Sequence, residues 1–164
     1  MQTLISFILF FSLSTAYADE LKVYVNKKQG YEFKYPVNAQ LSTNENVRQN
    51  FYLDPLQPIE NYKIDLQSIV TITFPDKYLF ILSLKKAPDL PPSNSQKIII
   101  GEYQFWRKYT SDAAMGHTYE YYTYYLVHKN KIYVFIFLFT SNTSDQRIIN
   151  TEDLNNILET LRLA

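Results

Sequence analysis

Apolar and polar positions alternate along most of residues 19–164, and the period changes only near the C-terminus. Leu21 to Val25 and Tyr31 to Tyr35 read as strands around Asn26-Lys27-Lys28-Gln29-Gly30, a turn whose glycine takes a positive φ cheaply. Ser68 to Phe74 and Tyr78 to Leu84 are β-rich runs joined through Pro75-Asp76-Lys77, where proline and aspartate favour a tight turn. Glu102–Thr110, His117–His128 and Lys131–Thr140 hold no internal glycine or proline. They are dense in Tyr, Phe, Ile and Val, which predicts three long strands. Leu154, Ile157, Leu158 and Leu161 then fall at i, i+3, i+4 and i+7, one face of a helix. Thr151 is placed to cap it, Glu152 and Asp153 suit its positive end, and Arg162 suits the other.

The late strands also predict their registers. A two-residue turn at Lys129-Asn130 pairs Leu126 with Tyr133, Tyr124 with Phe135 and Tyr122 with Phe137. On the opposite face it puts Val127, Tyr125 and Tyr121 beside Ile132, Val134 and Leu138. A loop over Ser111–Gly116 sets Arg107 opposite Glu120 and Phe105 opposite Tyr122. The strand Ile132–Phe139 is apolar on both faces, so both need a cover. The terminal helix supplies one, and loops or a short helix from residues 37–62 are expected to supply the other. The expected fold class is therefore α+β, an antiparallel β-sheet with helices or loops on both faces. Ala87–Ser95 carries three prolines and reads as a surface connection within one domain.

The N-terminus changes the picture of where this domain works. Leu4 to Leu13 is almost wholly apolar, and Ala16-Tyr17-Ala18 precedes Asp19-Glu20. This is the pattern of a signal peptide over residues 1–18, leaving 19–164 as a single domain. The competing reading is an uncleaved anchor, but the run falls short of the roughly 20 apolar residues of a membrane span. Export without a single cysteine fits the bacterial envelope or medium, hence a secreted or periplasmic location. The sequon Asn142-Thr143-Ser144 carries meaning only in a eukaryotic source.

Charge and composition remove several classes of function. Lysine plus arginine number 16 and aspartate plus glutamate 16, so no basic surplus exists to displace phosphate counterions, and no nucleic acid is expected. The lack of cysteine removes disulfides and thiolate chemistry. Fifteen tyrosines and eleven phenylalanines against three glycines argue for an ordered chain. A membrane β-barrel would need a polar face on every strand, which Ile132–Phe139 lacks, so the domain is expected to be soluble.

Candidate chemistry is sparse. Ser111, Asp112 and His117 are the residue types of a hydrolase triad, yet no glycine-flanked nucleophile elbow supports them. A metal site could draw on His117, Glu120, Asp112 and His128. Along one strand, however, residues 117 and 120 face opposite ways, and eleven residues at ~3.3 Å each set the two histidines more than about 30 Å apart. Asp54, Asp65 and Asp89 are too scattered for a calcium loop. No catalytic, cofactor-binding or metal-binding residue is singled out, and no cofactor is expected. The run Tyr119, Tyr121, Tyr122, Tyr124 and Tyr125 serves either as an aromatic binding surface or as strand packing. Trp106 shares a strand face with Glu102, Gln104, Lys108 and Thr110, so it is either covered by a helix edge or an exposed anchor. Trp106, Tyr119 and Tyr121 are the partner-binding candidates.

Three motifs carry a family resemblance. They are Gly30-Tyr31-Glu32-Phe33-Lys34-Tyr35-Pro36, then Gly101 followed by a strand and Ala113-Ala114-Met115-Gly116-His117-Thr118-Tyr119-Glu120, then Ile157-Leu158-Glu159-Thr160-Leu161-Arg162-Leu163. In this order they resemble the PsbP-like family, which includes the extrinsic photosystem II subunit, a Ran-binding import factor and exported bacterial proteins. The chain departs from that pattern at Val37-Asn38-Ala39-Gln40, where a tryptophan is usual, and at Leu161 and Leu163, where aromatics are usual. The resemblance implies an α/β/α sandwich that acts by binding another protein, and it carries over no catalytic residue. The expected function is an exported, soluble, non-enzymatic module for an unknown protein partner in the envelope or extracellular space. The alternatives are a carrier of a lipid, phenolic or sugar ligand, and a hydrolase built on Ser111, Asp112 and His117.

Overall fold

A computed structural model describes residues 20–43, 54–59, 69–75, 77–84, 90–114, 116–142 and 151–164. The expected signal peptide, residues 87–89 of the proline-rich connection, Thr143 and Ser144 of the sequon, Asp65 and Asp89 lie outside them, as does most of 44–62. The strands are β1 (Leu21–Asn26), β2 (Tyr31–Pro36), β3 (Gln40–Thr43), β4 (Val70–Thr73), β5 (Lys77–Leu84), β6 (Gln96–Ile100), β7 (Tyr103–Ala114), β8 (His117–His128), β9 (Lys131–Asn142) and β10 (Arg162–Leu163). A 3₁₀ turn spans Gln57–Ile59, and α1 spans Glu152–Glu159. Seven strands form one sheet in the order β3-β4-β5-β9-β8-β7-β6, and β1-β2-β10 form a second. Neighbouring strands in both are antiparallel.

The β8–β9 hairpin has the expected register, Leu126 facing Tyr133, Tyr124 facing Phe135 and Tyr122 facing Phe137. Its turn places Lys129 at φ 44° and Asn130 at φ 63°, the paired left-handed residues that match strand twist. The β7–β8 register is corrected. Residues 111–114 continue β7 instead of looping, because Gly116 at φ 80° closes a tight turn beyond them. Arg107 therefore faces Tyr124 and Ser111 faces Glu120. Arg107 bonds Gln96 Oε1 at 2.8 Å, and Glu120 instead accepts the Tyr109 hydroxyl at 2.7 Å.

At the C-terminus, α1 ends at Glu159, and Leu161 is buried two residues beyond it. Arg162 does not serve the helix end as expected, since it belongs to β10 and pairs with Glu32. Thr151 holds the cap position without a side-chain bond; its carbonyl accepts the Asn155 N–H at 3.0 Å.

Both faces of the large sheet are buried, which accounts for the doubly apolar β9. On one face Phe105, Tyr124, Phe135 and Phe137 pack with Tyr31 and Phe33 of β2 and with Leu154, Ile157 and Leu158 of α1. On the other, Phe80, Leu82, Tyr121, Tyr125, Val134 and Leu138 pack with Leu56 and Ile59 around the 3₁₀ turn. Each such fully buried side chain contributes about 1.5–3 kcal/mol of transfer energy. Among the described residues α1 is the one α-helix, so the second face meets a 3₁₀ turn there, and the first face carries a small sheet beside the helix.

Candidate functional site

The outer face of the small sheet carries an exposed apolar row. Strand alternation sends Tyr31, Phe33 and Tyr35 toward the core and Glu32, Lys34 and Pro36 outward. Across the ladder these outward residues face Val25, Val23 and Leu21. The three are exposed at 49%, 60% and 48%, an apolar row with no cover among the described residues. The aromatic residues of β2 claim the core, so Tyr24 of β1 turns inward against Tyr31 and Phe33, and the aliphatic row is left outside.

On the other side of β2, Arg162 pairs with Glu32, and Thr160 then bonds the Lys34 N–H at 2.8 Å. Three cavities adjoin along this face. One of about 400 Å³ lies against Val25, Lys27, Glu32, Arg162, Leu163 and Ala164. A second of about 320 Å³ touches Val23, Lys34, Glu159 and Thr160. A third of about 320 Å³ reaches Leu21, Pro36, Asp153, Asn156 and Glu159. Together they form a groove along β2 with an aliphatic wall on β1, a floor of Glu32 and Lys34, and a polar wall from α1 and β10. Charges of both signs alternate within it, so the groove suits a segment with mixed chemistry over a purely ionic ligand. Beneath the floor, Asn26 Nδ2 donates to the Tyr31 hydroxyl at 3.2 Å, while burial holds that phenol well above its ordinary pKa.

The sequence candidates lie elsewhere. Trp106, Tyr119 and Tyr121 share one face of the large sheet, Trp106 pairing with Tyr125. Trp106 is half-buried, whereas Tyr119 and Tyr121 are 3% and 0% exposed and offer almost no surface. The Tyr121 hydroxyl has no hydrogen-bond partner among the described residues, and burial first, then Asp112 and Asp54, pushes its pKa up to about 12.

Ser111, Asp112 and His117 do not converge. Asp112 and His117 stand opposite Tyr119 and Ala114 on that same face, and Ser111 stands with Glu120 on the other. The Asp112 carboxylate accepts the Ala113 N–H at 2.7 Å. His117 and His128 occupy opposite ends of β8, and among the described residues no three His, Asp or Glu gather for a metal ion. Asp54 accepts the Leu56 N–H at 2.9 Å as a local turn. No helix among the described residues is long and apolar enough to cross a membrane.

The groove was legible in one respect: Leu21, Val23 and Val25 alternate with Lys22 and Tyr24. Which half of that alternation meets the core depends on the aromatic partners across the ladder, and β1 alone does not contain that information.

Neither a protein-family model nor a curated protein sequence matches the chain. Among solved structures it is similar to a protein of Bacteroides thetaiotaomicron VPI-5482, with a TM-score of 0.60 at 10% identity, covering 87% of this chain and 48% of that one. This chain thus spans about half the length of the Bacteroides protein, and the two share a fold. A second match is the solution structure of cyanobacterial PsbP (CyanoP) from Synechocystis sp. PCC 6803, with a TM-score of 0.42 at 12% identity, covering 94% and 99%. A PsbP structure, of the family whose motifs the sequence resembles, therefore stands among the matches.

Proposed function

We propose that the chain is an exported, soluble, non-enzymatic interaction module that docks a protein partner, in the envelope or outside the cell, along the β2 groove. The observation that carries this reading is the row Leu21, Val23 and Val25, solvent-exposed beside a charged floor. Such a groove accepts an extended segment, apolar side chains against β1 and polar ones against Glu32 and Lys34. The separation of Ser111 from Asp112 and His117 on opposite faces supports a role without catalysis. Trp106 is a second contact point on the far face, with Tyr119 and Tyr121 supporting that face from within the core. A photo-crosslinking residue placed at Lys34, in cells exporting the protein, should capture a discrete partner. The same group at Ile99, 75% exposed on β6, should not. Equal capture at both positions, or none at either, would remove the groove as the docking site.

The cavity of about 400 Å³ beside Tyr31 and Leu163 favours the ligand-carrier reading in one respect, because its volume falls in the range of small-molecule sites. Native mass spectrometry of protein purified from cells should then show a bound lipid, phenolic or sugar that Leu163→Trp displaces. An unliganded mass for the unaltered protein would end that reading.

A further inference from the structure

The groove has a neighbour that its docking role leaves unused, the free edge of β1. We propose that this edge pairs antiparallel with β1 of a second copy, across a two-fold axis at Val23.

Among the described residues, strand β1 bonds β2 on one side only, at the margin of its sheet. The Val37 N–H donates to the Glu20 carbonyl at 3.0 Å, which marks the pair next to Leu21 and Pro36 as a hydrogen-bonded one. Alternation then makes Lys22, Tyr24 and Asn26 the residues that bond β2. Leu21, Val23 and Val25 aim their N–H and C=O groups at the empty side. The same residues expose their side chains on the outer face, Val23 most of all at 60%. Lys22 is the one charge on β1, and it does not guard the outer row. Its side chain lies on the opposite face and donates to the Val37 carbonyl at 3.2 Å.

The edge is complementary to itself. Centred on Val23, the pairing sets Leu21 against Val25 of the second copy, and Lys22 against the aromatic Tyr24. The apolar row then runs unbroken through both copies, and each odd-numbered pair exchanges two backbone hydrogen bonds. A one-residue slip would turn the row of one copy to the other face of the joint sheet. Centring on Lys22 would oppose two ammonium groups, and centring on Tyr24 would leave Leu21 opposite Lys27. The β6 margin of the large sheet offers no such match, since Lys97 shares the face of Ile99 and interrupts it. The resulting dimer joins two outer faces side by side and keeps both grooves open.

The chain lacks cysteine, so a single introduced thiol reports the contact cleanly. Paired residues at the axis stand about 5.5 Å apart at Cα, within disulfide reach. Purified Val23→Cys protein should oxidise to a covalent dimer, and Ile99→Cys should not. Sedimentation of the unaltered protein should show a dimer. Val23→Lys, which places like charges on the axis at an exposed position, should weaken self-association by at least about tenfold. Val23→Pro, which removes only an N–H directed away from β2, should act in the same way. A monomer at every concentration, or equal disulfide yield from Val23→Cys and Ile99→Cys, would overturn the proposal. So would a monomer whose Lys34 crosslink to a partner is lost in Val23→Pro, which keeps an apolar side chain in the groove wall and would give the edge to a foreign strand. Groove docking fails separately, by loss of the Lys34 crosslink from a protein that still dimerises.

Discussion

The Thr160 hydroxyl stands beside Lys34 where a neighbouring strand would otherwise run. It accepts the Lys34 N–H at 2.8 Å and donates to the Ile157 carbonyl at 2.8 Å. Strand β10 reaches only Glu32 and Tyr31, so this side chain closes the ladder where backbone pairing stops. One hydroxyl thereby ties the end of α1 to the middle of β2 and holds the polar wall of the groove. Thr160→Val should cost about 1 kcal/mol, and Thr160→Ser should keep most of it. Urea unfolding midpoints of the two variants check this. A loss in Thr160→Ser alone, with Thr160→Val unchanged, would assign the effect to the methyl packing instead.

Two core tyrosines should respond with opposite signs to loss of the hydroxyl. Tyr133 donates to the Gln29 carbonyl at 2.8 Å and so fastens the β1–β2 turn to β9. Tyr133→Phe should lose about 1 kcal/mol. The Tyr121 hydroxyl is buried without a partner among the described residues, so Tyr121→Phe removes a desolvated group and should gain up to about 1 kcal/mol. Chemical denaturation of both variants gives the comparison, and a loss in Tyr121→Phe would show that its hydroxyl is satisfied in solution.

Stability should fall in alkali for the same reason. Burial raises the pKa of Tyr31, Tyr121, Tyr124 and Tyr133, above the ordinary 10.0 of the unfolded chain. The folded state thus retains protons that the unfolded state releases. Their contribution is level below pH 10 and declines as pH rises toward the folded values, which for Tyr121 is about 12. Each contributing tyrosine steepens the decline by about 1.4 kcal/mol per pH unit. Urea midpoints between pH 9 and about 12, read with tyrosinate absorbance, should show unfolding and ionisation together. The slope should be shallower in Tyr121→Phe.

Most of the fold was legible because long alternating strands carry their own pairing information. Lys129-Asn130 can accept left-handed φ at both positions, and that alone sets every β8–β9 pair. The β7–β8 register was not legible for the complementary reason. Ser111 and Asp112 favour turns by composition, yet they extend β7 because Gly116 closes the chain later. The end of α1 was misplaced because Leu161 continues the helical period while its backbone has already turned toward β2. The aromatic candidates Tyr119 and Tyr121 read as strand packing or as a binding surface, and the face opposite β1 and α1 took them inward. The groove was the least legible part. It arises where β1, β2, α1 and β10 meet, and no single segment contains it.

The ion pair between Lys77 and Asp153 joins the first residue of β5 to the first turn of α1. Lys77 is 10% exposed at its side chain and lies 5.6 Å from the Phe74 ring centroid, whereas Asp153 is 41% exposed. The asymmetry decides the energetics. Neutralising the aspartate removes a counter-charge from a buried ammonium, so Asp153→Asn should cost about 1 kcal/mol, moderated by water at the carboxylate. Replacing the lysine by an apolar side chain of similar length removes the desolvation cost along with the attraction, so Lys77→Met should be close to neutral. In the Lys77→Met background, Asp153→Asn should then cost almost nothing, because the buried charge it served is gone. A double-mutant cycle on thermal or urea unfolding measures this coupling directly. If Asp153→Asn costs the same in both backgrounds, the aspartate stabilises α1 through its helix end alone, and the bridge to β5 contributes nothing.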